Sequence, residues 1–480
     1  MGKLHYGKKF LLTVVLFSLV ITVAFAGNSL KVTQHDITYF LMTDRFYDGD
    51  LSNDQDVHKR DLSAYHGGDF QGIIDKLDYI KDLGFTTIWI SPVVANQIRG
   101  YHGYWATDFY KTNEHFGSLE KLKELVARAH EKGLKVIVDL VVNHTGRMHP
   151  WASDPRYESW FHHQGNIQNW NDQQEVENGM LASLPDLNQD NPEVAKYLIG
   201  MAKWWIAETG IDGYRLDTVR HVPKSFWKDF VTEIKKDYPG FYMIGEVFDG
   251  RPDYLAGYQQ TGIDGLINYP VYFALNDVFA GGRPADRLVG VIQQCVAVYP
   301  NQYLMGTVID TQDVPRFISQ ASGQYAQERL KQALAFLMTY TGIPVMYYGT
   351  EIGLEGGDDP NNRRDMDWMV KSPLTDYVKK LTVIRKTNKA LTDGDFKIIG
   401  IDQDFLSYYR RFEGNIILTV FNLSDQQQKI TLSLPAEFQT AKGQLTELTG
   451  YQSQKTVKGK VKLKIGPRQV YIFSYTTIKP

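Results

Sequence analysis

The chain has 480 residues, 43% of them hydrophobic and 22% charged, with a formal net charge of -3. That is a globular composition, long enough for two or three domains. A mildly acidic chain without Lys/Arg-rich blocks is not built to hold nucleic acid or an anionic membrane by charge. The chain opens with Lys3, Lys8 and Lys9, then an apolar run from Phe10 to Phe25, then Ala24-Phe25-Ala26. This is the pattern of a secretory signal over residues 1–26, cleaved after Ala26. The run is shorter than the ~20 apolar residues of a spanning helix. The expectation is a secreted, extracellular monomer with no membrane attachment after cleavage.

From Ile37 to Tyr348, short apolar segments alternate with helical patterns. "ITYFLMTDRF", "TTIWISPVV", "KVIVDLVVNH", "GYRLDTV", "FYMIGEVF", "GLINYPVY", "YLMGTVID" and "PVMYYGTE" read as eight strands. Between the second and third, Leu122, Leu125, Val126 and Ala129 recur at helical spacing, and Gly133 ends the helix before a buried-type strand. Repeated β-α units imply a parallel sheet, and eight of them imply an α/β (β/α)8 TIM barrel with its site at the strand C-termini. The barrel divides into residues 27–144 and 191–391. Residues 145–190 are polar, aromatic and without helical period, and read as a small inserted domain after the third strand. Pro192 then starts a new helix. From residue 392 to 480 the texture becomes short alternating strands, such as "NIILTVFNLS" and "KVKLKIG", which predict a C-terminal antiparallel β-sandwich. The single cysteine, Cys295, cannot form an internal disulfide and reads as a small core residue.

Polar residues punctuate the strand ends. The third strand closes with Asp139, Asn143 and His144; the fourth carries Arg215 and Asp217, then Arg220 and His221; the fifth ends at Glu246 and the seventh at Asp313. Three carboxylates from different strands would converge on one mouth, and two suffice for glycoside hydrolysis. Arg215, two residues before Asp217, shares its side of the strand and would keep that carboxylate ionised.

"DLVVNH", "GYRLDTVRH", "GEVF" and "DTQD" resemble, in order, the four hallmark segments of the α-amylase family, glycoside hydrolase family 13. "YHGYWATDFY", "LPDLN" and "GGDDPNNR" extend the resemblance over nearly the whole chain after residue 26. "LPDL" with the pair Trp204-Trp205 resembles one subgroup of secreted bacterial α-amylases, although the Trp pair by itself reads as helix-to-barrel packing. The resemblance implies Asp217 as nucleophile, Glu246 as acid/base and Asp313 as the carboxylate that binds sugar hydroxyls in the transition state. It implies His102 and His144 as donors to the sugar at the cut site, Tyr104 as its stacking platform and Arg215 as the partner of Asp217. Arg220 and His221 would line the leaving-group side, and Asp359 and Arg363 the opposite side.

The same resemblance implies calcium. One ion would join the inserted domain to the barrel through Asn143, Asp186 and the carbonyl of His221, with a fourth ligand from the insertion not placed. A second would sit near the N-terminus among Asp48, Asp50, Asn53, Asp54, the carbonyl of Gly67, and Asp69, a gathering of hard oxygen donors of the kind calcium takes.

One motif departs from the family. Most relatives read Asn-His-Asp where this chain reads Thr311-Gln312-Asp313. A glutamine amide can donate one hydrogen bond toward a sugar hydroxyl but cannot carry charge, so Gln312 is expected to replace a histidine as a weaker sugar contact, and Gln312→His to raise turnover. The leading expectation is a retaining endo-α-amylase on starch and related α-1,4-glucans. The alternatives are a cyclodextrin- or pullulan-cleaving or transglycosylating relative, and a non-catalytic glucan-binding protein.

Overall fold

The helix read from Leu122 to Ala129 forms over Leu119–Glu131, and those four apolar residues are its buried face. Ser118 caps it by accepting a hydrogen bond from the Lys121 amide at 3.2 Å, and Gly133, at φ +69°, provides the left-handed turn that leads into the third strand. The computed structural model describes residues 30–478 apart from 322, 436–441, 452–453 and 456–458. The expected signal at 1–26 lies outside the described residues. No described helix is long and apolar enough to cross a membrane.

Eight parallel strands make the main sheet: Thr38–Leu41, Thr87–Ile90, Lys135–Leu140, Gly213–Leu216, Tyr242–Gly245, Gly265–Leu266, Gly306–Thr307 and Ile343–Tyr347. The first pairs with both the second and the eighth. A parallel bridge between Ile267 and Gly306 joins the sixth strand to the seventh, so the sheet closes on itself as a barrel.

The sixth and seventh strands are shorter than their sequences suggest. In "GLINYPVY" only Gly265 and Leu266 are strand; Tyr269–Phe279 is a helix with Pro270 in its first turn, where the missing N–H costs nothing. In "YLMGTVID" only Gly306 and Thr307 are strand. Asp310 instead turns its carboxylate to the Phe317 amide (3.0 Å) and the Thr350 hydroxyl (3.1 Å), which holds the following turn as a side-chain-bonded loop.

Residues 145–190 hold two short 3-10 helices and one helix, Gln173–Asn178, tied to the barrel by an antiparallel bridge between His144 and Asp186. Trp205, 3% exposed, donates its indole N–H to the Phe109 carbonyl at 2.9 Å, and Trp204 packs edge-on against Tyr110. The Trp pair therefore clamps the helix Pro192–Thr209 onto the strand Ala106–Thr112 rather than facing a ligand.

The C-terminal part is a six-stranded antiparallel sheet faced by a two-stranded one, Gln428–Ser433 with Lys460–Ile465. In "KVKLKI" every second residue is buried, so Val461, Leu463 and Ile465 meet Leu418, Val420 and Phe473 of the larger sheet. The opposite face of that sheet, including Tyr408, Ile417 and Phe421, joins the barrel core. The Gln332 amide to the Asn422 carbonyl (2.7 Å) and the Thr339–Tyr408 hydroxyl pair (2.6 Å) fasten the two parts.

Candidate active site

Parallel register places Asp139 beside Arg215 on neighbouring strands. Because side chains two residues apart in a strand share a face, Arg215 and Asp217 project together. Arg215 is fully buried; its Nη1 donates to Asp139 (2.9 and 3.1 Å) and to Asp217 Oδ1. Its Nη2 lies 2.9 Å from Glu246 Oε1, an ion-pair contact outside hydrogen-bond direction. Glu246 Oε2 accepts from the Thr218 amide at 3.0 Å, and the Tyr269 hydroxyl reaches Oε1 at 3.4 Å. Tyr104 donates its hydroxyl to Asp139 Oδ2 at 2.8 Å.

Asp313 lies six residues beyond its short strand, yet it reaches the same cluster: Arg363 Nη2 is 3.3 Å from Oδ1, and the Gln312 amide 2.7 Å from Oδ2. Arg363 also pairs with Asp359 at 3.1 Å.

Asp217, Glu246 and Asp313 line one cleft of about 380 Å³, together with Tyr104, His144 and His221. Arg215, His102, Gln312, Asp359 and Arg363 are outside that lining and support it from behind or beside. Carboxylates outnumber cations here. Burial raises Asp139 to about 6 against the pull of Arg215. Burial, then Glu246, raises Asp313 to about 7, opposed by Arg363 and Arg215. Asp217 is also pushed upward by burial, and the direct bond from Arg215 opposes this and favours its anion. The histidines are held neutral: burial lowers His144 to about 4 and His221 to about 3, and drives His102 well below the usual imidazole range. His144 Nε2 faces the Tyr104 carbonyl at 3.1 Å and so carries the proton there, while His102 Nδ1 accepts from the Tyr104 amide at 3.0 Å.

Several cleft residues escaped the sequence reading. Trp170 and Phe248, 49% and 42% exposed, supply apolar walls, with Leu181, Ala182 and Leu184 from the insertion. Arg220 lines the cleft, as expected, and also bonds protein: Nη1 donates to the Phe248 carbonyl (3.1 Å) and Nη2 to the Trp170 carbonyl (3.3 Å). It staples the two aromatic walls together. Thr218, a β-branched residue at φ +47°, is held in a strained turn so that its amide meets Glu246. Phe248 had a legible signal, lying two residues past Glu246; Trp170 and Thr218 had none, since their roles come from a loop path and a backbone angle.

Among the described residues, no three His, Cys, Asp or Glu side chains gather as a metal site. Calcium, however, also takes amide and carbonyl oxygens. Asp48 Oδ1, Asn53 Oδ1 and Asp54 Oδ1 are buried with no hydrogen-bond partner, and a Cβ on Gly67 would meet Asp54 Oδ1 at 2.6 Å and Asp48 Oδ2 at 3.1 Å. Lys59 Nζ pairs with Asp48 at 2.9 Å. Asp50 and Asp69 are already used as caps, Asp50 on the Ser52 amide (3.0 Å) and Asp69 on the Gly72 amide (2.6 Å). At the insertion, Asn143 Oδ1 and Asp186 Oδ1 are likewise buried and unpartnered, with Asp186 Oδ2 held by His162 at 2.8 Å. Both oxygen sets fit a hard cation.

Comparison with known proteins places this geometry. The family model described as "Alpha amylase, catalytic domain" matches residues 40–390, and that described as "Maltogenic Amylase, C-terminal domain" matches residues 396–472. The chain is 40% identical over 457 residues to a beta/alpha-amylase of Paenibacillus polymyxa; the match covers 91% of this chain and 37% of that longer protein. It is 34% identical over 425 residues to a cyclomaltodextrinase of Thermoanaerobacter pseudethanolicus, covering 84% of this chain and 72% of that one. Among solved structures it is similar to an Anoxybacillus α-amylase, with 44% identity, a TM-score of 0.89, and 93% of this chain and 99% of that one covered.

Proposed function

The chain belongs to the α-amylase family of glycoside hydrolases, family 13, and from that premise we propose that it cleaves α-1,4-glucosidic bonds with retention, taking cyclodextrins and maltooligosaccharides at least as readily as starch. The observation that carries the chemistry is the cluster on Arg215, which brings Asp217, Glu246 and Asp313 to one cleft. A guanidinium shared by Asp217 and Glu246 keeps the two carboxyls close, as the ~5–5.5 Å spacing of a retaining enzyme requires.

Asp217 is the nucleophile. Arg215 donates to it directly and so favours its anion, and Glu246, in the "GEVF" segment that resembles the family's, takes the proton-donor role. Glu246 protonates the glycosidic oxygen as Asp217 attacks the anomeric carbon, forming a β-linked glycosyl ester. The freed Glu246 carboxylate then takes a proton from water, whose oxygen displaces Asp217 and restores the α configuration. Asp313 accepts hydrogen bonds from the hydroxyls of the reacting sugar, Tyr104 stacks beneath it, and His144, neutral and with its Nε2 proton on the Tyr104 carbonyl, lines the cleft beside it. Trp170 and Phe248 give the leaving-group side an apolar surface for sugar faces.

The cyclodextrin-cleaving reading draws on cyclomaltodextrinase relatives and on the maltogenic-type C-terminal region; endo-hydrolysis of starch, the leading expectation from the sequence, draws on the Anoxybacillus α-amylase and stands second. Parallel digests of β-cyclodextrin and soluble starch, with products sized over time, separate them. Ring opening to linear maltooligosaccharides at a rate matching or exceeding starch cleavage is the expected result. Starch cleavage with cyclodextrin untouched selects the endo-amylase, and no reducing ends from either defeats hydrolysis altogether. The first-formed anomer is expected to be α; a β-anomer would overturn retention.

Calcium belongs to the same reading, as does secretion through the leader. Asp48, Asn53, Asp54 and the Gly67 carbonyl would hold one ion, and Asn143, Asp186 and the His221 carbonyl the other; each supplies cross-linking charge between loop segments. An ion at 100 times its Kd stabilises the fold by about 2.7 kcal/mol. Chelation is therefore expected to lower Tm by several degrees and added calcium to restore it. A Tm indifferent to chelator would remove calcium from the account.

A further inference from the structure

Gln312 is 2% exposed and lies between two residues of the site. Its Nε2 donates to Asp313 Oδ2 at 2.7 Å and to the Tyr104 hydroxyl at 3.1 Å. Tyr104 in turn gives its proton to Asp139, so its oxygen is free to accept. Both amide protons are thus used within the protein. The orientation is set by chemistry as well, because a flipped amide would set Oε1 against the Asp313 carboxylate. The Gln312 carbonyl accepts from Asn362 Nδ2 and Arg363 Nε, both at 2.8 Å, and Arg363 holds the other oxygen of Asp313. Gln312 Oε1 is buried with no partner. An unpaired buried acceptor costs stability, and positions that accept such a cost are where function rather than folding sets the residue.

Resting on the reading of Asp313 as a sugar-binding carboxylate in a retaining hydrolase, we propose that Gln312 is a positioning residue: its amide locks Asp313 against Tyr104, and it is not a sugar contact in place of histidine. The lock completes a chain from Asp313 through Gln312, Tyr104 and Asp139 to Arg215 and Asp217. No link between Asp313 and Tyr104 changes charge across the working pH range. A histidine ring presents one N–H in one direction when neutral and cannot serve both acceptors, so Gln312→His is expected to lose turnover.

The test compares Gln312→Met, similar in size but without a donor, with Gln312→His, Tyr104→Phe and the Met/Phe double variant, on β-cyclodextrin and starch. Gln312→Met is expected to lower kcat about 10–100-fold, the worth of one hydrogen bond to a charged group, with a smaller change in KM. The charged and titratable groups facing Asp313 are Arg363, Arg215, Glu246, Asp139, Asp217, Tyr104 and Tyr269. All of them remain in Gln312→Met, so loss of the amide donor should raise the pKa of Asp313 and move the acid limb of kcat to higher pH. The double variant should lose less than the product of the two single losses, since both changes cut the Gln312–Tyr104 link. Wild-type kcat and pH profile in Gln312→Met, a gain in Gln312→His, or additive losses in the double variant would each overturn the lock. Should Gln312→Met fail to fold, Gln312→His and Tyr104→Phe decide alone. A wild-type protein that turns over neither glucan overturns the functional reading and the lock together, whereas a working wild type with indifferent variants overturns only the lock.

Discussion

Asp217→Asn is expected to lower kcat on cyclodextrin and starch by roughly 10⁴–10⁶-fold, the scale on which removing one member of a covalent catalytic set acts, while the protein stays folded and still binds glucan. Asparagine keeps the shape and can accept from Arg215 Nη1 through its amide oxygen, but it offers no anion to attack the anomeric carbon. Stability should not suffer. Asp139, Glu246 and Asp313 crowd the buried Asp217, and their charges, after burial itself, push it upward against the pull of Arg215. Removing one charge relieves that repulsion and leaves Arg215 paired with Asp139 and Glu246. The checks are kcat, Tm and calorimetric binding of β-cyclodextrin. A variant within tenfold of wild-type kcat would take the nucleophile role from Asp217.

Glu246→Gln is expected to lower kcat on natural glucans by about 10²–10⁴-fold, the usual contribution of a general acid–base group. Its effect should depend on the leaving group. An aryl maltoside with an acidic phenol departs without protonation, so the glycosyl ester should still form and accumulate, and hydrolysis of that ester should become the slow step. Azide needs no base, so added azide should accelerate turnover and give the α-glycosyl azide, since it displaces Asp217 from the face opposite the ester bond. Uniform loss across leaving groups, with no azide product, would assign Glu246 to positioning instead. The Thr218 amide and the Tyr269 hydroxyl still face the substituted side chain, so its placement should survive the change.

The barrel was legible where periodicity is strong. The helix over Leu119–Glu131 and the strand after it follow from spacing and a terminal glycine, signals contained within one or two turns of chain. The same approach overextended the sixth and seventh strands, because "NYPVY" alternates like a strand while Pro270 in fact opens a helix, and because Asp310 bonds its own loop instead of continuing the ladder. The Trp204-Trp205 pair was read correctly as packing; that Arg220, besides lining the cleft, bonds the Trp170 and Phe248 carbonyls was not legible, since those partners are 50 and 28 residues away.

The proposed reacting groups could be picked out from the chain itself: Asp217, Glu246 and Asp313 stand in short motifs whose order resembles that of the α-amylase family before any contact is known. Their working relationship was not. Arg215 meets Asp139 across 76 residues, and Gln312 meets Tyr104 across 208, contacts that exist only once eight strands close into a barrel. Local sequence governs backbone periodicity and capping, because those interactions span a few residues. Hydrogen-bond direction, burial and shared charge depend on groups brought together by closure. For that reason Gln312 reads in the sequence as a weakened histidine, and in the fold as the amide that joins Asp313 to Tyr104.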